Sequence, residues 1–288
     1  MEIILATHSG FCYGVERAVK KAEEALRSEG TVKSLGPIIH NPPTVEMLAE
    51  RGLGVADSLD EIDSGTVVIR AHGAAPEVYQ KAREKGIRVV DTTCPFVTSA
   101  RHSAEKLVQE GYQLIIVGEK THPEVIGIYE AVDHQAIVVR DASELSLIDT
   151  DAMKRVGIVA QTTQQLDVFK AVIDFFIRTN VTELRIFNTI CKDTLDRQEE
   201  VEALSRQCDC VLVVGGKNSS NTKKLFRICQ MMGVRAFQIE TTGEIQGEWF
   251  DAVRRVGVVS GASTPKSIID DVLSVLQEID LKKRKARV

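Results

Sequence analysis

A parallel α/β architecture, made of one small unit used three times, is the fold the sequence predicts, and three observations predict it. Three cysteines each stand between a short apolar strand and an amphipathic helix: Cys12, Cys94 after Val89-Val90-Asp91-Thr92-Thr93, and Cys191 after Ile186-Phe187-Asn188-Thr189-Ile190, spaced 82 and 97 residues apart. Counting 28 positions on from each reaches His40, His122 and Ser219, where another strand is expected to end. A later strand in each unit runs out at His72, Thr162 and Ser263. The repeat divides the chain into α/β domains 8–91, 92–188 and 189–288 around a shared pseudo-axis.

The first unit is expected to hold strand Glu2–Ala6, a helix from Val15 to Ser28 with apolar residues at a 3.6 period, and a strand over Leu35-Gly36-Pro37-Ile38-Ile39. Then come the loop prolines Pro42 and Pro43, helix Thr44–Arg51, strand Thr66–Ala71, helix Pro76–Lys85 and strand Ile87–Val90. The second repeats the order with helix Val97–Gln109, strand Gln113–Val117, helix Val125–Val132, strands Ala136–Val139 and Val156–Ala160, helix Leu166–Thr179 and strand Glu183–Phe187. The third has helix Thr194–Gln207, strand Cys210–Val214, helix Thr222–Met232, strands Arg235–Ile239 and Val256–Val259, and helix Ser267–Ile279. No strand follows that last helix, so strand Glu2–Ala6 is expected to fill the vacancy and complete the third repeat with residues 1–7.

Composition narrows the class. An apolar content of 43% with 27% charged residues suits a soluble globular chain, and a net charge of −5 gives no support for nucleic-acid binding. The start lacks a basic segment leading into an apolar one, and no apolar run reaches 18 residues, which disfavours secretion and membrane spanning and makes a cytoplasmic setting the expectation. Six cysteines in such a chain read as thiols or metal ligands rather than a disulfide framework.

All the recurring polar residues fall at carboxyl ends of strands, where parallel sheets bind ligands and helix N-termini point. Convergence of Cys12, Cys94 and Cys191 would make a thiolate site for zinc, copper(I) or an iron–sulfur cluster. Structural zinc favours four ligands and close cysteine pairs, which the chain lacks, whereas a 4Fe-4S cube held by three cysteines leaves one iron open for a substrate. Cys208, Cys210 and Cys229 have no counterparts in the other repeats and read as core residues. Around the centre stand His40, His72, His122, Glu124, Thr162, Ser219, Ser220, Asn221 and Ser263. Hydroxyls, amides and imidazoles at helix starts suit a phosphate-type anion, although Ser, Thr and Asn also serve there as simple helix caps. Glu124, beside a desolvated centre, is a candidate proton donor.

The set Gly10-Phe11-Cys12-Tyr13-Gly14-Val15, Asp91-Thr92-Thr93-Cys94-Pro95, Thr121-His122-Pro123-Glu124, Gln161-Thr162-Thr163, Asn188-Thr189-Ile190-Cys191, Lys217-Asn218-Ser219-Ser220-Asn221 and Gly261-Ala262-Ser263 closely resembles the 4-hydroxy-3-methylbut-2-enyl diphosphate reductase family over the whole chain. The resemblance implies a trefoil of three α/β domains around one 4Fe-4S cluster ligated by Cys12, Cys94 and Cys191, with one open iron whose loss on isolation would leave a 3Fe-4S form. It implies that His40, His72, Ser219, Ser220, Asn221 and Ser263 hold a diphosphate, that His122, Glu124 and Thr162 face the substrate hydroxyl and relay protons, and that ferredoxin or flavodoxin donates electrons. Two other readings carry the same three-cysteine logic: a dehydratase of the quinolinate synthase type, disfavoured by the Ser-Ser-Asn loop and the His-Pro-Glu segment, and an iron–sulfur sensor, which needs no proton donor.

Overall fold

The computed structural model describes residues 1–27, 30–150 and 152–285. The first stretch of elements is β1 (Glu2–Leu5), α1 (Tyr13–Leu26), β2 (Val32–Leu35), α2 (Pro42–Glu50), β3 (Gly54–Ala56), β4 (Thr66–Ile69), α3 (Pro76–Glu84) and β5 (Arg88–Asp91). Next come α4 (Pro95–Gln109), β6 (Gln113–Val117), α5 (Pro123–Ala131), β7 (Ala136–Val139), β8 (Arg155–Ala160), α6 (Leu166–Ile177) and β9 (Glu183–Ile186). The last are α7 (Lys192–Gln207), β10 (Cys210–Val214), α8 (Ser220–Met231), β11 (Arg235–Ile239), β12 (Arg255–Ser260) and α9 (Lys266–Lys285). The strands form three four-stranded sheets in the orders β3-β2-β4-β5, β7-β6-β8-β9 and β1-β12-β10-β11, and every pairing is parallel. The repeated α/β class expected from the sequence is the one observed.

Two compact units result. An internal unit comprises Gly14–Ile39 and Val45–Cys191 and carries the first two sheets; a terminal unit comprises Met1–Tyr13, His40–Thr44 and Lys192–Val288 and carries the third. In the internal unit, β5 and β9 take the edge beside the central strands β4 and β8, and each then leads to a cysteine. In the terminal unit that edge belongs to β1, which pairs with β12 from Glu2 opposite Arg255 to Leu5 opposite Val258. The strand is recruited from the far end of the chain because its backbone groups supply the ladder that β12 would otherwise lack on that side.

Central strands read as unbroken apolar runs because both faces are covered: every residue of β4 and β10 is buried, whereas β5 and β9 are buried at neither end. In the terminal unit, Val211 and Val213 pack with Cys208 and Cys229 on one face of the sheet, and Cys210, Leu212 and Val214 pack with Phe250 and Leu276 on the other. Cys208, Cys210 and Cys229 are thus core residues, and burial pushes the Cys210 and Cys229 thiols up to about 11, well away from a reactive thiolate. Among the described residues no helix is long and apolar enough to cross a membrane.

The differences from expectation have local causes. The strand expected over 35–39 lies instead at Val32–Leu35, because Gly36 turns left-handed at φ 68° and Pro37 follows; Ile38 and Ile39 stay buried without joining a ladder. Helices α2, α4 and α5 begin two residues early, at Pro42, Pro95 and Pro123, where proline's missing N–H and fixed φ suit the first helical position. Helix α9 continues past Ile279 to Lys285, so Lys282, Lys283, Arg284 and Lys285 are helical, with their cations in the last turn where the dipole favours them. Ser28, Ala286 and Arg287 lie outside the described residues.

Gly65 tests this packing. It adopts φ 93°, and a Cβ there would sit 2.4 Å from the Thr31 carbonyl oxygen, a backbone atom that cannot swing aside. Gly65→Ala should cost roughly 2–3 kcal/mol of stability, read as a lowered Tm in a thermal melt. Gly247→Ala, placed in open space on ordinary backbone, should leave the melt essentially unchanged.

Candidate functional site

The three cysteines sit in one local arrangement. Each donates its amide N–H over 2.9 Å to a carbonyl two residues beyond a central strand: Cys94 to Ala71, Cys191 to Thr162 and Cys12 to Ala262. Two residues before the cysteine, a second tie closes the same turn. Thr92 Oγ1 donates to the Ile69 carbonyl at 2.5 Å, Thr189 Oγ1 donates to the Ala160 carbonyl at 2.5 Å, and the Gly10 N–H donates to Ser260 Oγ at 2.9 Å. Gly10 takes φ 94°, which a residue with a side chain rarely adopts. These bonds correct the expected repeat register by one residue: Ala71, Thr162 and Ala262 correspond, so the counterpart of His72 and Ser263 is Thr163 rather than Thr162.

In the internal unit, β6 ends at Val117 and α5 starts at Pro123, with His122 as its cap. The Glu124 N–H donates to His122 Nδ1 at 3.2 Å, so a neutral His122 carries its proton on Nε2. The Glu124 side chain is only 1% exposed and accepts twice from one residue, from the Thr162 N–H at 2.6 Å and from Thr162 Oγ1 at 2.8 Å. Because the Thr162 carbonyl holds the Cys191 amide, one residue links a buried carboxyl group to a cysteine junction. Glu124 also lies close to Cys94. Burial raises that thiol's pKa and the Glu124 charge adds to the rise, while the N–H groups of Phe96 and Val97 at the start of α4 and the Arg17 guanidinium oppose it. His72 meets His122 edge to face at 5.4 Å, and a cavity of about 10 Å³, the size of one water, lies between His72, Thr93, Thr98, Arg101 and Glu124.

The terminal unit gathers the other predicted residues. Ser219 caps α8, its Oγ accepting the Thr222 N–H at 3.3 Å, and Ser220 and Asn221 open the helix where backbone N–H groups lack intrahelical partners. Asn221 is 4% exposed, yet neither Oδ1 nor Nδ2 has a hydrogen-bond partner, an arrangement that a polar ligand would satisfy. Gly216 lets the His40 backbone come close, since a Cβ there would stand 2.5 Å from the His40 carbonyl oxygen. Ser263 Oγ donates to that same oxygen at 3.3 Å, so His40, Ser263 and the loop before α8 converge. Lys217 pairs with Glu244, and Ser220, Asn221, Thr222 and Lys224 are the buried polar residues of the helix start.

Thus Cys94, Cys191, His72, His122, Glu124 and Thr162 belong to the internal unit, and Cys12, His40, Ser219, Ser220, Asn221 and Ser263 to the terminal one. Sequence reasoning missed Asn41. Its Oδ1 accepts from Thr44 N at 3.0 Å and Thr44 Oγ1 at 2.8 Å, so Asn41 rather than His40 caps α2 and the 28-residue spacing slips by one in the first repeat. It also missed Gln161, wholly buried, whose Oε1 accepts the Glu119 N–H at 3.1 Å and so fixes the loop leading to His122. A glutamine inside an apolar strand end was the available signal. The donor set fits an iron–sulfur group: Cys12, Cys94 and Cys191 are half-buried, outside any disulfide, and each directly precedes or lies beside a helix start.

Comparison with known proteins agrees. The LytB protein family model matches residues 3–277. The 4-hydroxy-3-methylbut-2-enyl diphosphate reductase of Geobacter metallireducens is 47% identical over 97% of this chain and 98% of its own. The structure of the E-1-hydroxy-2-methyl-but-2-enyl-4-diphosphate reductase from Plasmodium falciparum aligns with TM-score 0.89 and 27% identity over 96% of this chain and 87% of that one. A structure described as (E)-4-hydroxy-3-methyl-but-2-enyl diphosphate reductase, the terminal enzyme of the non-mevalonate pathway, aligns with TM-score 0.70 and 44% identity over 96% of this chain and all of that one. The chain belongs to the LytB family of 4-hydroxy-3-methylbut-2-enyl diphosphate reductases.

Proposed function

We propose that this chain reductively removes the hydroxyl of (E)-4-hydroxy-3-methylbut-2-enyl diphosphate, giving isopentenyl and dimethylallyl diphosphate, the last step of the non-mevalonate isoprenoid route. The repeats 8–91, 92–188 and 189–288, the last completed by residues 1–7, are its building blocks, and the pairing of β1 with β12 supports that division. Cys12, Cys94 and Cys191 hold one 4Fe-4S cluster. When bound, it supplies electrons one at a time and a Lewis-acidic iron without a protein thiolate. The cell's donor is a small cytoplasmic carrier such as ferredoxin or flavodoxin.

The single observation that carries this reading is the buried Glu124 carboxyl group, tied to Thr162 by two hydrogen bonds and through Thr162 to the Cys191 junction. Replacing a hydroxyl by hydrogen consumes two electrons and two protons and releases one water. Hydroxide leaves poorly, so the first proton must reach the oxygen as the C–O bond breaks, and Glu124 supplies it. Thr162 holds the carboxyl group in place, and His122, with its proton on Nε2, offers a donor to the same oxygen. The second proton goes to either end of the allyl fragment, which accounts for two products. Ser219, Ser220, Asn221, Ser263, His40 and His72 hold the diphosphate, with the α8 N-terminus favouring its charge.

The direct test is anaerobic oxidation of reduced viologen, which should depend on the diphosphate alcohol; turnover without viologen oxidation would indicate a dehydratase instead. Glu124→Gln should lower kcat by about 10²–10⁴ with the cluster absorbance intact; near-native turnover would remove Glu124 from the chemistry. Asn221→Ala should chiefly raise KM, by roughly ten- to a hundredfold for hydrogen bonds to a charged group. An unchanged KM would take Asn221 out of diphosphate binding.

A further inference from the structure

The loops that deliver two of the three proposed cluster cysteines are gripped by charged side chains from helices that start beside a different cysteine. Helix α7 begins directly after Cys191, and its Arg197 is 3% exposed, a charge on a face otherwise buried through Val201 and Leu204. Its guanidinium ties the segment leading to Cys12 to the end of β12: Nη1 donates to the His8 carbonyl at 2.7 Å and to the Ser260 carbonyl at 3.0 Å, and Nη2 donates to the Gly10 carbonyl at 2.9 Å. Asp193, one turn back, takes Nε at 2.7 Å and Nη2 at 3.2 Å, which balances the buried charge and fixes the fork. One turn forward, the Glu200 carboxylate accepts the Thr7 N–H at 3.0 Å and the His8 N–H at 2.9 Å. Carbonyls and amides of one short loop are therefore both held from one helix.

The Cys94 loop is held in the same manner. Helix α1 starts one residue after Cys12, and its Arg17 Nη1 donates to the Thr93 carbonyl at 3.0 Å and to the Thr92 carbonyl at 3.4 Å. Lys21, one turn further on, donates to the Asp91 carbonyl at 2.8 Å. We propose that Arg197 and Arg17 are positioning residues that lock the loops presenting Cys12 and Cys94, so that the helix anchored at one cysteine sets the geometry of the next; the inference rests on the ligand assignment above. The fork matters as well as the charge, since Arg197 serves three carbonyls and a carboxylate in fixed directions, which a lysine ammonium on a flexible stem does not reproduce.

Hydrogen exchange on the metal-free full chain, followed by iron loss from the anaerobically reconstituted protein to a chelator, tests this. Arg197→Met and Arg197→Lys should both speed exchange in residues 7–12 by roughly ten- to a hundredfold while residues 91–94 keep wild-type rates, and Arg17→Met should do the reverse. Each variant that folds, judged by circular dichroism, should lose iron to the chelator about tenfold faster or more than the wild type. Exchange and iron loss at wild-type rates in Arg17→Met and Arg197→Met would overturn the proposal, and wild-type behaviour of Arg197→Lys would overturn the role of the fork. Should Arg197→Met not fold, Glu200→Gln, which weakens only the grip on Thr7 and His8, must still raise exchange in residues 7–12 for the proposal to stand. A wild-type chain that takes up no iron while the exchange pattern appears as described would instead sink the ligand assignment and leave the loop clasp intact.

Discussion

Three hydrogen bonds of equal length set the terms for everything else: the amides of Cys12, Cys94 and Cys191 each bind a carbonyl two residues past the end of a central strand. Such a bond fixes the turn by which an edge strand becomes a helix, and so leaves the thiol at the carboxyl end of the sheet. The amide is spent on the turn, so the cysteine's remaining chemistry lies in its sulfur. Repetition of this turn by different residues, Thr92 and Thr189 in two cases and Gly10 with Ser260 in the third, shows that the geometry is kept while its side-chain support varies.

The carboxyl group of Glu124 is the other expensive placement. A buried acid needs partners in whichever form it holds its proton, and here Thr162 supplies two while the start of α5 favours negative charge. Desolvating it beside a cysteine junction makes sense for proton transfer and little sense for stability, since an apolar residue would pack there at lower cost. The Asn221 amide, buried with both polar atoms unmatched, is a similar case in the terminal unit. Polar groups left costly in this way mark where a ligand completes the structure.

Much of this was legible in the chain because the repeat disclosed it. The cysteines, the strands that end beside them and the vacancy taken by β1 followed from spacing and from apolar runs in central strands. Less regular features were hidden for physical reasons. Gly36 and Pro37 interrupt an apolar stretch that otherwise reads as strand, and β3 is a three-residue edge too short to show a pattern. Asn41 caps α2 one position beyond the point the 28-residue spacing reaches, its short carboxamide accepting both the amide and the hydroxyl of Thr44. The grip of Arg197 and Glu200 on the loop before Cys12 was hidden because their partners there are backbone atoms almost two hundred residues distant, and no local pattern encodes a carbonyl's need for a donor.

Thiols from three equivalent turns, on this proposal, hold one cluster and leave one of its irons to the substrate. Mössbauer spectroscopy of the anaerobically reconstituted chain, enriched in the active iron isotope and recorded with and without the diphosphate alcohol, tests it most directly. One distinct iron in four is expected, altered on adding the alcohol, while the other three keep their thiolate signature. Four equivalent irons, or a spectrum indifferent to the alcohol, would contradict it.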